Sequence, residues 1–212
     1  MNSISKAALV SLALVLVLGG TVGGLSFYEK RVYEAHAAQL TLGWPSIDFY
    51  FFYKIFMSWL NSGTAGPDGI ALPAGLKGRL APFYSHDLSV VRSAYTSKLD
   101  RLAITDCSKI YFSDRAIVDA LRLGRPLDAG QARWLAHELT HTEQCVRWGG
   151  RKNYADTWFR QLAREVLLAI LQGRLSAVSQ SISGAQSSVI HDNMSMEQEA
   201  ETRAAKAVKN WK

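Results

Sequence analysis

Residues 135–141 read LAHELTH and place His137, Glu138 and His141 in a His-Glu-x-x-His pattern. On an α-helix, residues four apart lie on one face, one turn above the other. Two imidazoles so placed can take adjacent corners of a single zinc tetrahedron. The Glu that follows the first His points aside, where it can accept a proton from water activated at the metal. Because the helix is rigid, little entropy is lost when the ion arrives. In a chain with five histidines, chance yields this pattern on the order of once in a hundred chains or fewer.

A catalytic zinc site needs a third protein ligand and one open position. The extended pattern, with Gly three and His six residues after the second His, is absent, since Gln144 and Arg147 stand there. The ligand must therefore come from elsewhere. Residues 196–205 read MEQEAETRAA, with Glu197 and Glu201 four apart on one helix face. In a Glu-x-x-x-acid arrangement the first carboxylate binds metal. The acid one turn later receives the second N–H of a ligand histidine. Glu197 is thus read as the ligand and Glu201 as its orienting partner, with Glu199 as the nearest rival to Glu197. The competing interpretation is a solvated helix face of mixed acids and bases.

These side chains need two helices to hold them. Asp128 and Gln131 form a capping-box start for a helix to about Arg147, which Gly149 and Gly150 stop. Ser195 and Gln198 give a second capping box before a helix with Ala200, Ala204, Ala207 and Val208 on its apolar face. Between these helices, Trp158, Leu162, Val166 and Ile170 predict another over about 154–172. The stretch SAVSQSISGAQSS at 176–188 reads as a loop or a frayed helix end. Earlier, Leu88, Val91, Tyr95 and Leu99 recur at helical spacing and predict a helix. Ala103-Ile104-Thr105 and Ile110-Tyr111-Phe112 read as a short hairpin or bulged strand pair around a polar Asp106–Lys109 stretch. Residues 44–60 are dense in aromatics and read as a segment packed on the core, with an interfacial helix as the alternative. Residues 61–78, with five Gly and two Pro, read as a loop or linker. The domain carrying the site is therefore expected over 79–212. Its expected class is mainly α with a small β element, in a zincin-like arrangement of a metal site between two helices.

Residues 7–28 carry no charge and follow Lys6; their most apolar part reads AALVSLALVLVL. A charged start, an apolar core and small residues after it form a secretory signal pattern, and the uncharged run is also long enough to span a bilayer. Residues 1–30 are thus read as a signal peptide or membrane anchor, and 31–78 as the aromatic-rich segment and linker. The chain has 212 residues, and Lys plus Arg number 24 against 18 Asp plus Glu, a net +6. No block of five like charges marks a nucleic-acid arm. Two cysteines exclude a disulfide-dense miniprotein and a Cys-rich zinc module. In an exported domain, Cys107 and Cys145 would form a disulfide pinning the strand to the metal helix; two separate buried thiols are the alternative.

The chain resembles the core domain associated with extracellular contractile injection systems, and is similar to zinc peptidases of the gluzincin type. The resemblance rests on Asp87-Leu88-Ser89-Val90-Val91-Arg92, the 103–105 and 110–112 runs, Leu135 to His141 with Gln144, and Glu197-Gln198-Glu199-Ala200. It spans residues 79–151 and 193–206. The family usually has Asp where this chain has Glu201. The resemblance implies a metallopeptidase-like fold in a bacterial periplasm or cell envelope.

The resulting expectation is a zinc-dependent endopeptidase acting on peptide or protein, with zinc on His137, His141 and Glu197 and Glu138 as general base. A non-catalytic envelope scaffold or binding module is the alternative. Membrane association is compatible with the leader, no nucleic-acid partner is expected, and the oligomeric state is open. His191, Tyr154 and Arg203 are candidates to stabilise a developing oxyanion. His36 and His86 are given no role, and Arg147 and Trp148 are read as structural.

Overall fold

A computed structural model describes residues 49–64, 69–99, 102–173 and 192–211. Residues 1–48, which include the apolar 7–28 run and His36, the 176–188 stretch and His191 lie outside the described residues. The described chain is mainly helical with a small mixed sheet of four strands. Helix α1 is Phe49–Asn61, followed by strand β1 at Ile70–Ala71 and helix α2 at Ala74–Leu80. Strands β2 (Arg92–Tyr95), β3 (Ala103–Asp106) and β4 (Lys109–Phe112) come next. Four helices complete the chain: α3 (Arg115–Arg122), α4 (Ala129–Arg147), α5 (Arg151–Leu171) and α6 (Ser195–Val208). Among the described residues, no helix is long and apolar enough to cross a membrane.

The sheet order is β1-β2-β4-β3, with β2 and β4 parallel and the other pairs antiparallel. The 103–112 hairpin forms as expected. Thr105 faces Ile110, and Cys107 at the turn takes a left-handed φ of 50°. The helix expected from Leu88 to Leu99 does not form. Asp87 instead caps a short 3-10 turn over Leu88–Val90, and β2 follows in the middle of the sheet. Its Ser93 and Ala94 are buried, because neighbouring strands cover both edges and packed layers cover both faces. The apolar spacing at 88–99 imitated a helix, and tertiary burial decided otherwise.

Residues 61–78, read as loop or linker, include β1 and the start of α2. Helix α1 is amphipathic: Tyr53, Met57 and Leu60 are buried against Ala94, Tyr111 and Ala155, while Phe51 and Ile55 are exposed. Residues 49–60 of the aromatic segment are thus packed on the core. The main core lies between the sheet, α3, α4 and α6, around Leu80, Ile110, Phe112, Ile117, Leu135 and Leu139. Each of these is fully buried. Burying a Leu, Ile or Phe side chain stabilises the fold by about 1.5–3 kcal/mol, and this core fixes the solvent-averse face of α4.

The ends of α4 are set by its sequence. Asp128 Oδ1 accepts the Gln131 N–H at 2.8 Å, and Gln131 Oε1 accepts the Asp128 N–H at 3.3 Å. The expected capping box is present. At the other end Gly149 and Gly150 adopt positive φ, and the Gly150 N–H donates to the Cys145 carbonyl at 2.8 Å. Positive φ costs Gly little, which is why the helix stops there. The capping box expected at Ser195 does not form. Met194 is the N-cap, and Gln198 turns its side-chain amide to the Asp192 carbonyl instead. With Ser195 already the first helical residue, its hydroxyl is one position too late to cap.

Candidate metal centre

Helices α4 and α6 pack along each other. On α6 the inward residues Ala200, Ala204 and Ala207 are small and buried, which lets the backbones approach. That approach carries Glu197, in the first turn of α6, to the two histidines of α4. Glu197 Oε2 lies 3.1 Å from His137 Nε2 and 3.1 Å from His141 Nε2, and the two nitrogens are 3.2 Å apart. The imidazoles meet edge to face, their ring centres 4.9 Å apart. His141 and Glu197 are buried, and His137 has 16% of its side chain exposed.

The three atoms form a nearly equilateral triangle. Ligands at about 2.05 Å from a tetrahedral zinc sit about 3.3 Å from one another. The observed spacings are therefore those of a coordination face, slightly contracted. Two nitrogens and one carboxylate oxygen form a donor set suited to zinc, and one position remains open. His137, His141 and Glu197 are the candidate metal-binding triad of the described residues.

Hydrogen bonds behind the triad select the tautomers. His141 Nδ1 donates to Gln144 Oε1 at 2.8 Å, which leaves its Nε2 lone pair facing the triad. His137 Nδ1 lies 3.5 Å from Glu201 Oε2, an ion-pair distance rather than a short hydrogen bond. Glu201 is thus on the side expected of it, and it also pairs with Arg133. Three electron-rich atoms aimed at one point require a positive charge between them, either a proton or a cation. Burial pushes the His141 imidazole down, but the charge and hydrogen bond of Glu197 pull it up to about 9. Either a proton on His141 or a bound cation would meet that requirement.

Glu138 is buried beside the triad. Its Oε2 accepts the Thr105 hydroxyl at 2.8 Å, and the same hydroxyl lies 3.2 Å from the Glu138 carbonyl. The phenol of Tyr154 is buried, its ring edge-on to His141 with centres 6.4 Å apart and stacked on Trp148. Tyr154 is well above its ordinary pKa, first through burial and then through Glu197, Glu138 and Asp106, so its hydroxyl stays protonated. Arg203 is elsewhere. It donates to Glu143 at 2.7 Å and lies 3.3 Å from Glu199. Glu199, the rival ligand, is held by both terminal nitrogens of Arg147, at 2.8 and 2.6 Å, and turns away from the triad. The Arg147 fork holds its carboxylate below the usual range. Arg147 is structural, as read.

Cys107 and Cys145 are joined in a disulfide with their Cα atoms 5.3 Å apart. Sequence reasoning missed two contributors. Gln144 was noted as a departure from a longer motif and as part of the resemblance, but was given no role, although its i+3 position places it on the His141 face. Thr105 carried no signal beyond its strand. His86, given no role, packs its ring away from the triad, with Nε2 2.6 Å from Thr142 Oγ1 and Nδ1 3.8 Å from Glu143. No protein-family model, curated protein or solved structure matches the chain.

Proposed function

We propose that the chain is a zinc-dependent endopeptidase with a zincin-like arrangement of its two site helices. The observation that carries this reading is the convergence of His137 Nε2, His141 Nε2 and Glu197 Oε2 within 3.1–3.2 Å of one another. Glu138 follows His137 on the same helix. The resemblance to the injection-system core domain and to gluzincins points the same way.

Zinc held by these three residues would polarise a water molecule and a scissile carbonyl. The remaining chemistry belongs to the chain. Glu138 takes a proton from the attacking water and later delivers it to the leaving amine nitrogen. Gln144 and Glu201 hold the imidazoles so that Nε2 faces inward. Tyr154, whose buried ring lies edge-on to His141, is the proposed hydroxyl donor for the carbonyl oxygen as charge develops on it. The leader suggests that this chemistry takes place in an exported or membrane-anchored setting at a bacterial envelope, with a peptide or protein as substrate.

A second reading is a non-catalytic envelope module that keeps the metal site for stability. One observation favours it: two of the three ligands are buried, and exposure is confined to part of His137. One experiment separates the readings. Zinc content and cleavage of casein or a peptide library are measured for the native chain and Glu138→Gln. The hydrolase reading expects about one zinc in each, and a loss of cleavage of two orders of magnitude or more in the variant. Zinc in both without cleavage by either supports the module.

A further inference from the structure

Three consecutive residues at the end of β3 are each held by a different part of the molecule. The Thr105 hydroxyl meets Glu138 Oε2 at 2.8 Å. Asp106 Oδ1 accepts the Tyr53 hydroxyl at 2.8 Å and lies 2.5 Å from Arg151 Nε, which ties the strand to α1 and α5. Cys107 is bonded to Cys145, two turns beyond Glu138 on α4. The backbone at Cys107 is left-handed, with φ of 50°. A non-glycine residue holds that conformation only where its surroundings impose it.

β3 is an edge strand of the sheet, packed against α4. Thr105 is buried and has a single hydroxyl proton. The shorter contact directs that proton to the Glu138 carboxylate rather than to its carbonyl. A glutamate side chain left untethered loses up to about 2 kcal/mol of rotamer entropy when it is fixed for catalysis. Here one oxygen is already tethered, so the other keeps a fixed direction.

We propose that Thr105 is the positioning residue for Glu138, and that the Cys107–Cys145 disulfide keeps Thr105 in register with it. The proposal rests on the hydrolase reading only in taking Glu138 as the group that faces the open metal position. Thr105 touches no substrate; it acts through Glu138.

The test uses the full-length chain loaded with one equivalent of zinc and a dipeptide hydroxamate as probe. A hydroxamate chelates the metal through its two oxygens and hydrogen-bonds to a carboxylate beside it. Its affinity therefore reports where Glu138 points, whether or not a substrate is known. Native chain, Glu138→Gln, Thr105→Val, Thr105→Ser and the double change Cys107→Ser with Cys145→Ser are compared by calorimetry, with zinc content measured in each. The expected result is unchanged zinc content throughout. Binding falls about tenfold in Thr105→Val and in the double cysteine variant, and stays within about twofold of native in Thr105→Ser. On any peptide that the native chain cleaves, Thr105→Val should lower kcat and leave KM unchanged.

Native-like binding by Thr105→Val overturns the proposal, as does an equal loss in Thr105→Val and Thr105→Ser. Loss of zinc from Thr105→Val also overturns it, because the residue would then support the fold rather than the base. A native chain that binds the hydroxamate and shows the Thr105 dependence, yet cuts no peptide, defeats the hydrolase reading and leaves the positioning role standing.

Discussion

Gln144 accepts the Nδ1–H of His141 at 2.8 Å and, through its own amide nitrogen, donates to the Met196 carbonyl at 2.9 Å. One side chain thus sets the tautomer of a ligand and ties α4 to the turn that presents Glu197. Gln144→Leu fills similar space but leaves the His141 imidazole N–H unpaired and removes the amide that bridges to the Met196 carbonyl and to Glu199. Partners of this kind contribute about 10–100-fold to metal affinity. Zinc affinity of Gln144→Leu, measured by competition with a chromophoric chelator, should fall by that range while circular dichroism shows the helices intact. Unchanged affinity would remove Gln144 from the site.

Glu201 should matter less. Its carboxylate lies 3.5 Å from His137 Nδ1 and is half-exposed, and it also pairs with Arg133. Water can replace it. Glu201→Ala is expected to weaken zinc binding less than tenfold in the same competition assay. Glu201→Asp should not strengthen it by more than that. A loss larger than that of Gln144→Leu would reverse the ranking.

The pH dependence follows from His141, whose pKa is raised from 6.5 to about 9 by Glu197 against the opposing effect of burial. A raised pKa means the metal-free folded chain binds the proton more tightly than the unfolded one. Its contribution to stability is therefore complete below about pH 6.5 and is lost as pH rises through about 9. Metal-free Tm should decline over that window, and zinc-loaded Tm should not. Zinc must displace the same proton, so loading at pH 7 should release about one proton from this site. Calorimetry in buffers of different ionisation enthalpy reads that number. No proton release at pH 7 would contradict the arrangement.

The disulfide closes a loop with a sequence separation of 38 residues. A loop of this length gives about 4 kcal/mol in the chain-entropy treatment. Cys107→Ser with Cys145→Ser should lower the denaturant midpoint of the zinc-loaded chain accordingly. Non-reducing peptide mapping should find a 107–145 cross-link in the native protein. Two free thiols in protein purified from an oxidising compartment would exclude it.

Much of the site was legible because its chemistry is local. The histidine pair is fixed by helical spacing within one turn, and the Asp128 and Gly149 signals bound that helix without reference to the rest of the chain. Glu197 was legible through its own spacing to Glu201. What could not be read depends on contacts across the fold. Strand β2 looks helical by period and is a strand because β1 and β4 flank it. Ser195 has the right residue type for a cap but sits one position inside the helix. Thr105 reaches Glu138 only because β3 lies at the sheet edge against α4, and Glu199 is held by Arg147, 52 residues earlier. In these four, local period or residue type is either silent or misleading.

The most direct measurement is zinc K-edge X-ray absorption on the purified chain. The account predicts one tightly bound zinc with two imidazole nitrogens and a carboxylate oxygen at about 2.0–2.2 Å, no sulfur neighbour, and loss of the bound ion in Glu197→Ala. A chain that takes up no stoichiometric zinc, or whose zinc keeps the same neighbours after Glu197→Ala, would contradict it.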